Sequence, residues 1–265
     1  NWLTNSRFKR YQQCQAKAFA LDSGQWVEER DETSLLLGNY VHSYFESSEA
    51  HRQFMDENSE KLLAKTGKNK GNLKSDFVIG DKMIASLKDD DGFNHLYHGY
   101  PSDEVQKELI VYGEIEGVPV KGKLDSVNLS RGYFVDLKTM KSIYAEEWSA
   151  ELKKKVPAAV NNILNFGYHG QLGLYRELLK QMTGNDFRPY IVAVSKENVP
   201  DRDILKIDDE WLEEGLDKIK SEIVEVWDVI QGQKEPKKCS HCDYCRSQKK
   251  LNAVVSLNDL IESDC

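Results

Sequence analysis

The hydrophobic and polar positions of the chain alternate between helical periodicity and the two-residue alternation of strands. Helical patterns cover residues 6–21 (with Ser6 as N-cap), 35–54, 75–87, 145–155, 161–182 and 208–231. Strand patterns cover residues 105–112, 118–129, 133–139, 188–195 and 203–207, and the lysine-rich stretch 61–73 predicts a loop or a frayed helix. A three-stranded meander, a crossover helix and a further strand predict an α/β (α+β) fold, a mixed β-sheet flanked by helices.

The length and composition fit a water-soluble protein with a sizeable core. The 265 residues are 40% hydrophobic and 30% charged, and no apolar run approaches the roughly 20 residues of a membrane-spanning helix. No stretch resembles a signal peptide, so we expect a cytoplasmic location. We predict one domain over residues 1–265, with a helical part at about 1–100, a core at about 101–232, and a cysteine cluster and tail at 233–265.

The net charge of −8 argues weakly against a protein that coats nucleic acid without sequence preference. It does not exclude an enzyme that acts on nucleic acid, because binding depends on the local field. Lys153–Lys155 and Arg246–Lys250 are candidate basic patches, although a solvated face is the simpler interpretation of each.

The most informative residues are two aspartates and a lysine in a predicted β-hairpin. If the turn is symmetric about Ser130 and Arg131, Asp125 lies directly opposite Asp136, and Lys138 shares a strand face with Asp136. Two facing carboxylates repel each other, so the pair favours a divalent cation, Mg²⁺ or Mn²⁺, between them. A lysine beside such a site can hold an attacking water or stabilise charge on a phosphate.

Two further residues are candidates for the same site. Glu108, in the strand before the hairpin, could supply a third acid, or it could be a solvated strand glutamate. His42 lies four residues after Gly38 on one face of a predicted helix, and it could reach a metal or a phosphate. A lone helical histidine is more often a packed or surface residue.

Gln171 and Tyr175 are also four residues apart on one helix face. Gly170 and Gly173, in the same helix, suit close contact of the backbone with a ligand or a strand. The alternative for this region is an ordinary packing face between helix and sheet.

These residues, in this order, resemble the PD-(D/E)XK nuclease superfamily. More narrowly they resemble its RecB-type branch, with the phage RecE-like exonucleases (exodeoxyribonuclease VIII). The resemblance runs from about Ser6 to Cys245, and it departs from the signature in that Leu124 stands where the motif has proline. The resemblance implies a restriction-endonuclease-like core in a single nuclease domain.

The resemblance also implies a role for each matched residue. Asp125 and Asp136 would bind Mg²⁺ with the main-chain carbonyl of Leu137, and His42 and Glu108 would complete or adjust the metal shell. The reaction would be hydrolysis of a phosphodiester bond in DNA.

The remaining matched residues would act on the water and the phosphate. Lys138 would orient the attacking water, while Gln171 and Tyr175 would position the scissile phosphate or the lysine. The RecE-like substrate is linear double-stranded DNA, digested 5′→3′ in phage recombination with a RecT-like annealing partner. A ring-shaped homo-oligomer is typical of such enzymes.

A cysteine cluster predicts a second metal site. Cys239, Cys242 and Cys245 have two residues between neighbours, a spacing that in a cytosolic protein indicates metal rather than disulfides. An iron–sulfur cluster needs a fourth thiolate, and Cys14 is the candidate because its segment resembles the N-terminal cysteine segment of AddB-type nucleases. Zinc, held by the three cysteines with His241 or Cys14, is the less favoured alternative, and unligated thiols are the third.

Two other functions fit the same residues. One is a RecB- or AddB-like iron–sulfur nuclease of DNA repair or CRISPR adaptation that acts on single strands. The other is a catalytically inactive DNA-binding module, although such a relative would usually lack one of the two aspartates or the lysine. The chain has no phosphate-binding Gly-Lys-Thr loop, so any unwinding would need a partner.

Overall fold

The computed structural model of the chain describes residues 2–28, 32–251, 254 and 256–258. Their contacts group into two compact units: residues 2–5 and 32–224 form the larger unit, and residues 6–28 with those from 225 onward form the smaller unit. The sequence assigned residues 6–28 to the helical N-terminal part, but they cluster with the C-terminal region. Cys265, for which no role is predicted, lies outside the described residues. No helix within those ranges is long and apolar enough to span a membrane.

The larger unit is built on a mixed sheet, as predicted. In chain order the described strands are β1 (Leu3–Thr4), β2 (Val105–Ile115), β3 (Val118–Asn128), β4 (Tyr133–Met140), β5 (Glu146–Ser149), β6 (Lys154–Pro157), β7 (Arg188–Ser195) and β8 (Arg202–Lys206). Strand β3 pairs with β1 in parallel and with β2 and β4 antiparallel; β4 and β7 are parallel, and β8 runs antiparallel to β7. Strands β5 and β6 form a separate hairpin.

Helices make up most of the remaining described chain. They are α1 (Asn5–Gln13), α2 (Gln15–Asp22), α3 (Thr33–Glu46), α4 (Ser48–Glu57), α5 (Ser59–Leu62), α6 (Ser75–Lys88), α7 (Asp91–His98), α8 (Ala158–Asn165), α9 (Tyr168–Thr183), α10 (Asp209–Ile230) and α11 (Asp243–Ser247). The predicted helix before the meander and the long helix that ends in the C-terminal region match α6 and α10 within two residues.

Three predicted helices are each divided in two, two of them by a single residue and the third by a two-residue turn. Cys14 is extended (φ −166°, ψ 109°) between α1 and α2, where its sulfur accepts a hydrogen bond from the Lys17 amide. Ser47 separates α3 from α4 and caps α4, because its Oγ accepts a hydrogen bond from the Ala50 amide at 3.0 Å. Phe166 and Gly167 separate α8 from α9, and Gly167 is in the left-handed conformation, with φ +60°. At Cys14 and Ser47, local capping by the side chain thus overrides a continuous helical pattern.

The prediction of a helix over residues 145–155 is wrong, because this segment contributes to the β5–β6 hairpin. The carbonyl of Trp148 accepts a hydrogen bond from the Asn161 side chain at 3.1 Å, and Lys153 turns the chain with φ +51°. A contact with the following helix therefore decides this conformation, rather than the periodicity of the segment itself.

The two faces of β4 separate the hydrophobic core from the polar site. Tyr133, Val135 and Leu137 belong to a buried cluster with residues of α3, α6 and α7. Asp136 and Lys138 alternate with them and point to the other face, where α9 packs. Helices therefore flank the sheet on both sides, as predicted.

Glycines on α9 allow it to cross α10 at close range. A β-carbon at Gly173 would lie 2.5 Å from the Leu212 carbonyl oxygen, and one at Gly170 would lie 3.0 Å from that of Gly215. The prediction that these glycines admit a ligand or a strand is therefore wrong. They face α10, so that the opposite side of α9 faces the sheet.

Candidate active site

The β3–β4 hairpin has the predicted register, but its ladder ends before the two aspartates. Ser126 pairs with Val135, and the next pair along would be Asp125 with Asp136. Both aspartates are buried, with exposures of 8% and 4%. The strands part at this point, which leaves the two carboxylates at the mouth of the opening.

A side chain replaces the missing ladder bond. Asp125 Oδ2 accepts a hydrogen bond from the Leu137 amide at 2.7 Å. In a strand the N–H and C=O of one residue point to the same edge, so the Leu137 carbonyl also points towards β3. Met140 belongs to the alternate set of β4 residues, whose N–H and C=O groups point towards β7. Its carbonyl accepts a hydrogen bond from the Lys196 amide at 2.8 Å, consistent with this alternation.

Helix α3 brings His42 to the first aspartate. His42 Nδ1 lies 3.4 Å from Asp125 Oδ2. One turn earlier in the helix, a β-carbon at Gly38 would lie 3.6 Å from Thr139 Oγ1, an ordinary contact. The approach of α3 to β4 therefore does not require glycine at position 38.

Helix α9 supplies the surroundings of the second aspartate. Lys138 Nζ lies 2.5 Å from Asp136 Oδ2 and 4.8 Å from the ring centroid of Tyr168. Gln171 Nε2 donates to Asp136 Oδ1 at 3.4 Å. Tyr168 was not among the predicted site residues, although its spacing from Gln171 and Tyr175 places all three residues on one helix face.

Tyr175 closes the site from the β3 side. Its ring occupies the place that a side chain at Gly122 would need, so a β-carbon there would collide with it. Its hydroxyl is hydrogen-bonded to the Gln171 side chain. Burial, and then the negative charge of Asp136, raise the pKa of Tyr175 to about 12, so this hydroxyl stays protonated at neutral pH.

Glu108 lies opposite Asp125 in a strained backbone conformation. Lys107 and Leu109 keep the register with β3, but Glu108 between them has φ +52°, in the left-handed region. Its carboxylate forms an ion pair with Lys123. Non-glycine residues in this region are strained, and such residues cluster at functional sites.

The two aspartates have opposite electrostatic environments. Burial would raise the pKa of Asp125, but the positive charges of His42 and Lys138 and the Leu137 amide hold it below its usual range. Burial raises the pKa of Asp136; Lys138 opposes this effect and the charge of Asp125 adds to it. Burial would lower the pKa of Lys138, but the charge of Asp136 and then that of Asp125 raise it. Two like charges in one buried site oppose each other's ionisation, and a cation would relieve this.

The donors at the opening suit a hard divalent cation. Asp125, Asp136 and the Leu137 carbonyl offer only oxygen atoms, which Mg²⁺ and Mn²⁺ prefer. Asp136 Oδ2 is buried, and among the described residues it meets the Lys138 ammonium but no donor in a favourable hydrogen-bonding direction. His42 and Glu108 lie beside Asp125, where they could extend the donor set.

The smaller unit contains the four predicted cysteine ligands in one cluster. The sulfur atoms of Cys14, Cys239, Cys242 and Cys245 all lie within 4.8 Å of one another. The amides of Lys17, Cys242 and Cys245 each donate to a cysteine sulfur, at 3.4, 3.3 and 3.5 Å. The sequence thus predicted correctly which of the cysteines meet.

One solved structure superposes closely on this fold. No curated protein matches the chain. The crystal structure of a protein from Eubacterium rectale, described as a "Putative exonuclease", superposes with a TM-score of 0.83 at 29% identity, over 99% of this chain and 94% of that one. A second structure, SSO0001, gives a TM-score of 0.32 at 14% identity, over 90% and 91% of the two chains.

The family match covers both the hairpin site and the cysteines. Residues 4–248 match the family described as "PDDEXK-like domain of unknown function (DUF3799)". This range contains each residue that the sequence predicted for the two sites. The chain therefore belongs to this PDDEXK-like family, and with it to the PD-(D/E)XK nuclease superfamily.

Proposed function

We propose that the chain is a Mg²⁺-dependent deoxyribonuclease that hydrolyses phosphodiester bonds. The observation that carries this proposal is the meeting of two buried aspartates with Lys138 where the hairpin ladder ends. Family membership and the exonuclease description of the Eubacterium rectale protein support it.

In this proposal Asp125, Asp136 and the Leu137 carbonyl hold the cation. His42 and Glu108 adjust the charge and the shape of the shell around it. When bound, Mg²⁺ or Mn²⁺ lowers the pKa of a coordinated water and neutralises charge that develops on the phosphate.

The other residues orient the reactants. The contact with Asp136 keeps Lys138 charged beside the opening, where its ammonium can hold an attacking water and stabilise a phosphate oxygen. Gln171 fixes Asp136 through its amide, and Tyr175 fixes Gln171. The pair can also hold the scissile phosphate in line with the water.

We further propose a RecE-like substrate and polarity. The enzyme would digest linear double-stranded DNA from the 5′ end, in phage-type recombination with a RecT-like annealing partner. The support is the order of the matched motifs. A ring-shaped homo-oligomer would give DNA a local basic lining despite the net charge of −8; light scattering with and without DNA would test for this ring.

The proposal can be tested on linear double-stranded DNA labelled separately at its 5′ and 3′ ends. We expect release of the 5′ label with Mg²⁺ and none with EDTA. Asp136→Asn should slow release on the order of 100-fold or more, because it removes a ligand charge. The matched control is Glu213→Gln, an exposed acid on α10, which should cleave like the parent.

Each other result would favour a different function. Release from the 3′ end would reject the RecE-like polarity while keeping the nuclease. Cleavage of single strands alone would favour the RecB- or AddB-like alternative. DNA binding without cleavage, under all of these conditions, would leave the inactive binding module.

A further inference from the structure

The cysteine cluster of the smaller unit has a geometry that distinguishes between kinds of metal centre. Cys14 Sγ lies 3.6 Å from Cys245 Sγ, and Cys239 Sγ lies 3.9 Å from Cys245 Sγ. These distances are far longer than a disulfide bond, and the four thiols are free. Both pairs are within hydrogen-bonding distance, and four thiols as close as these can be bridged by one metal ion.

We propose that the four cysteines bind a single Zn²⁺ ion in a tetrahedral tetrathiolate site. Four sulfurs at about 2.3 Å from one tetrahedral ion lie about 3.8 Å from each other. The separations of 3.6 and 3.9 Å in the structure fall on either side of this value. The largest separation in the group, 4.8 Å at most, is still close to it.

An iron–sulfur cluster fits the same cysteines less well. A cubane cluster places several irons and inorganic sulfides between its four thiolates, so these thiolates lie farther apart than those around one ion. The four sulfurs would have to separate to admit it. The geometry therefore favours zinc, whereas the spacing in the sequence favoured iron–sulfur.

The fourth ligand is Cys14 rather than His241. Cys14 is 5% exposed and belongs to the group of converging sulfurs, while His241 is exposed and outside this group among the described residues. The extended backbone at Cys14 explains this arrangement. The break between α1 and α2 frees its sulfur to cap α2 and to join the cluster.

Hydrogen bonds around the sulfurs also suit a metal-bound thiolate. The backbone amides that donate to Cys14, Cys239 and Cys242 stabilise negative charge on sulfur. Two of these amides come from the turn that carries the ligands themselves. Such amide-to-sulfur bonds hold the ligands in place before the ion arrives.

The ion would stabilise the smaller unit. The buried cluster around the site consists of Cys14, Ala16 and Cys245, packed by Cys239, Cys242 and Tyr244, so few aliphatic groups contribute to it. Where few aliphatic groups pack around a set of thiolates, a bound metal commonly holds the segments together. The site is therefore assigned a structural role, and cleavage of DNA is not part of it.

The first test is the composition of the full-length protein, purified without oxygen and without chelator. We expect one zinc per chain by elemental analysis, no acid-labile sulfide and no visible absorption. Iron with stoichiometric sulfide would overturn the proposal, as would iron alone or a chain free of metal. None of these measurements depends on nuclease activity, so the proposed function could fail while the zinc site stands.

Variants identify the ligands. Cys14→Ser should lose most of the zinc, while His241→Ala, the matched control, should keep one zinc per chain. If Cys14→Ser fails to fold, cobalt exchanged into the unmutated protein should show the ligand-field bands of a tetrahedral tetrathiolate. Loss of zinc in His241→Ala with retention in Cys14→Ser would overturn the ligand assignment, and octahedral cobalt bands would overturn the site.

Discussion

At the scale of the residue, the hairpin site depends on charges that compensate one another. Asp125 is stabilised as a carboxylate by His42 and the Leu137 amide, whereas Asp136 depends mainly on Lys138. Lys138 in turn lies half-buried between Asp136 and the ring of Tyr168. A change at Lys138 therefore affects both the reaction and the ionisation of Asp136.

Replacement of Lys138 should separate cleavage from binding. We expect Lys138→Ala and the longer Lys138→Met to cut DNA on the order of 100-fold to 1000-fold more slowly, because both lack the ammonium that stabilises developing charge. DNA affinity, measured in Ca²⁺ by fluorescence anisotropy, should change little. A cleavage rate near that of the parent in either variant would contradict the assignment of Lys138.

The strained backbone at Glu108 should make the folded state less stable than it would be with glycine at this position. The left-handed conformation costs about 1–2 kcal/mol for a residue with a β-carbon, so Glu108→Gly should raise the melting temperature by a few degrees. The same change should reduce Mg²⁺-dependent cleavage, because it removes a carboxylate beside Asp125. Calorimetry and the end-release assay would measure the two effects.

Glu116→Gly provides the matched control for this strain. Glu116 has φ +49° in the turn between β2 and β3 and is exposed. Its replacement should stabilise the fold without any change in activity. Full activity in Glu108→Gly would show that Glu108 takes no part in the site.

The sequence predicted the pair of aspartates and Lys138 because a short hairpin fixes which residues face each other. It did not predict the contact of Tyr168 with Lys138, because that contact depends on the rotation of α9 against the sheet. Glycines that face α10 set this rotation, and no local pattern encodes it. Residues that act within one hairpin are thus more predictable than residues that act across two elements.

At the scale of the element, the sequence predicted strands better than the ends of helices. The meander strands lie within three residues of their predicted bounds because strict alternation and turn residues define them. The division of three helices was missed, since Cys14, Ser47 and Gly167 each interrupt a pattern that stays amphipathic across the break. The β5–β6 hairpin was missed because its conformation follows from contact with α8.

The close crossing of α9 and α10 should not accommodate a side chain at position 173. Gly173→Ala places a β-carbon against the Leu212 carbonyl, so we expect a loss of about 1–3 kcal/mol in the free energy of unfolding. Gly38→Ala, in α3, is the matched control: its β-carbon finds ordinary contact distance, and removing a helical glycine should add about 0.5–1 kcal/mol. Urea denaturation would measure both changes, and greater stability in Gly173→Ala would contradict the described crossing.

At the scale of the whole molecule, the chain forms two compact units with different means of stabilisation. The larger unit has an extensive buried cluster of aromatic and aliphatic side chains around the sheet. In the smaller unit, the buried cluster that contains Cys14 and Cys245 has the small residue Ala16 as its third member. Loss of a metal should therefore affect the two units unequally.

Hydrogen exchange can measure this difference directly. After zinc is removed with a strong chelator under reducing conditions, amides at residues 14–20 and 239–247 should exchange at least tenfold faster. Amides of β3 and β4 should keep their protection, because the stability of the sheet comes from its own core. Equal loss of protection in both units would contradict a local role for the metal, and re-addition of zinc provides the control.

The smaller unit draws its residues from both ends of the described chain, and this affects folding during synthesis. Cys14 and Cys245 are 231 residues apart, so the N-terminal segment leaves the ribosome roughly 10–50 seconds before its partner exists. Residues 32–224 are complete earlier and can form the sheet in the meantime. A ribosome that stops near residue 235 would thus release a chain with a finished sheet and an unpaired Cys14, open to oxidation and to quality control by proteases.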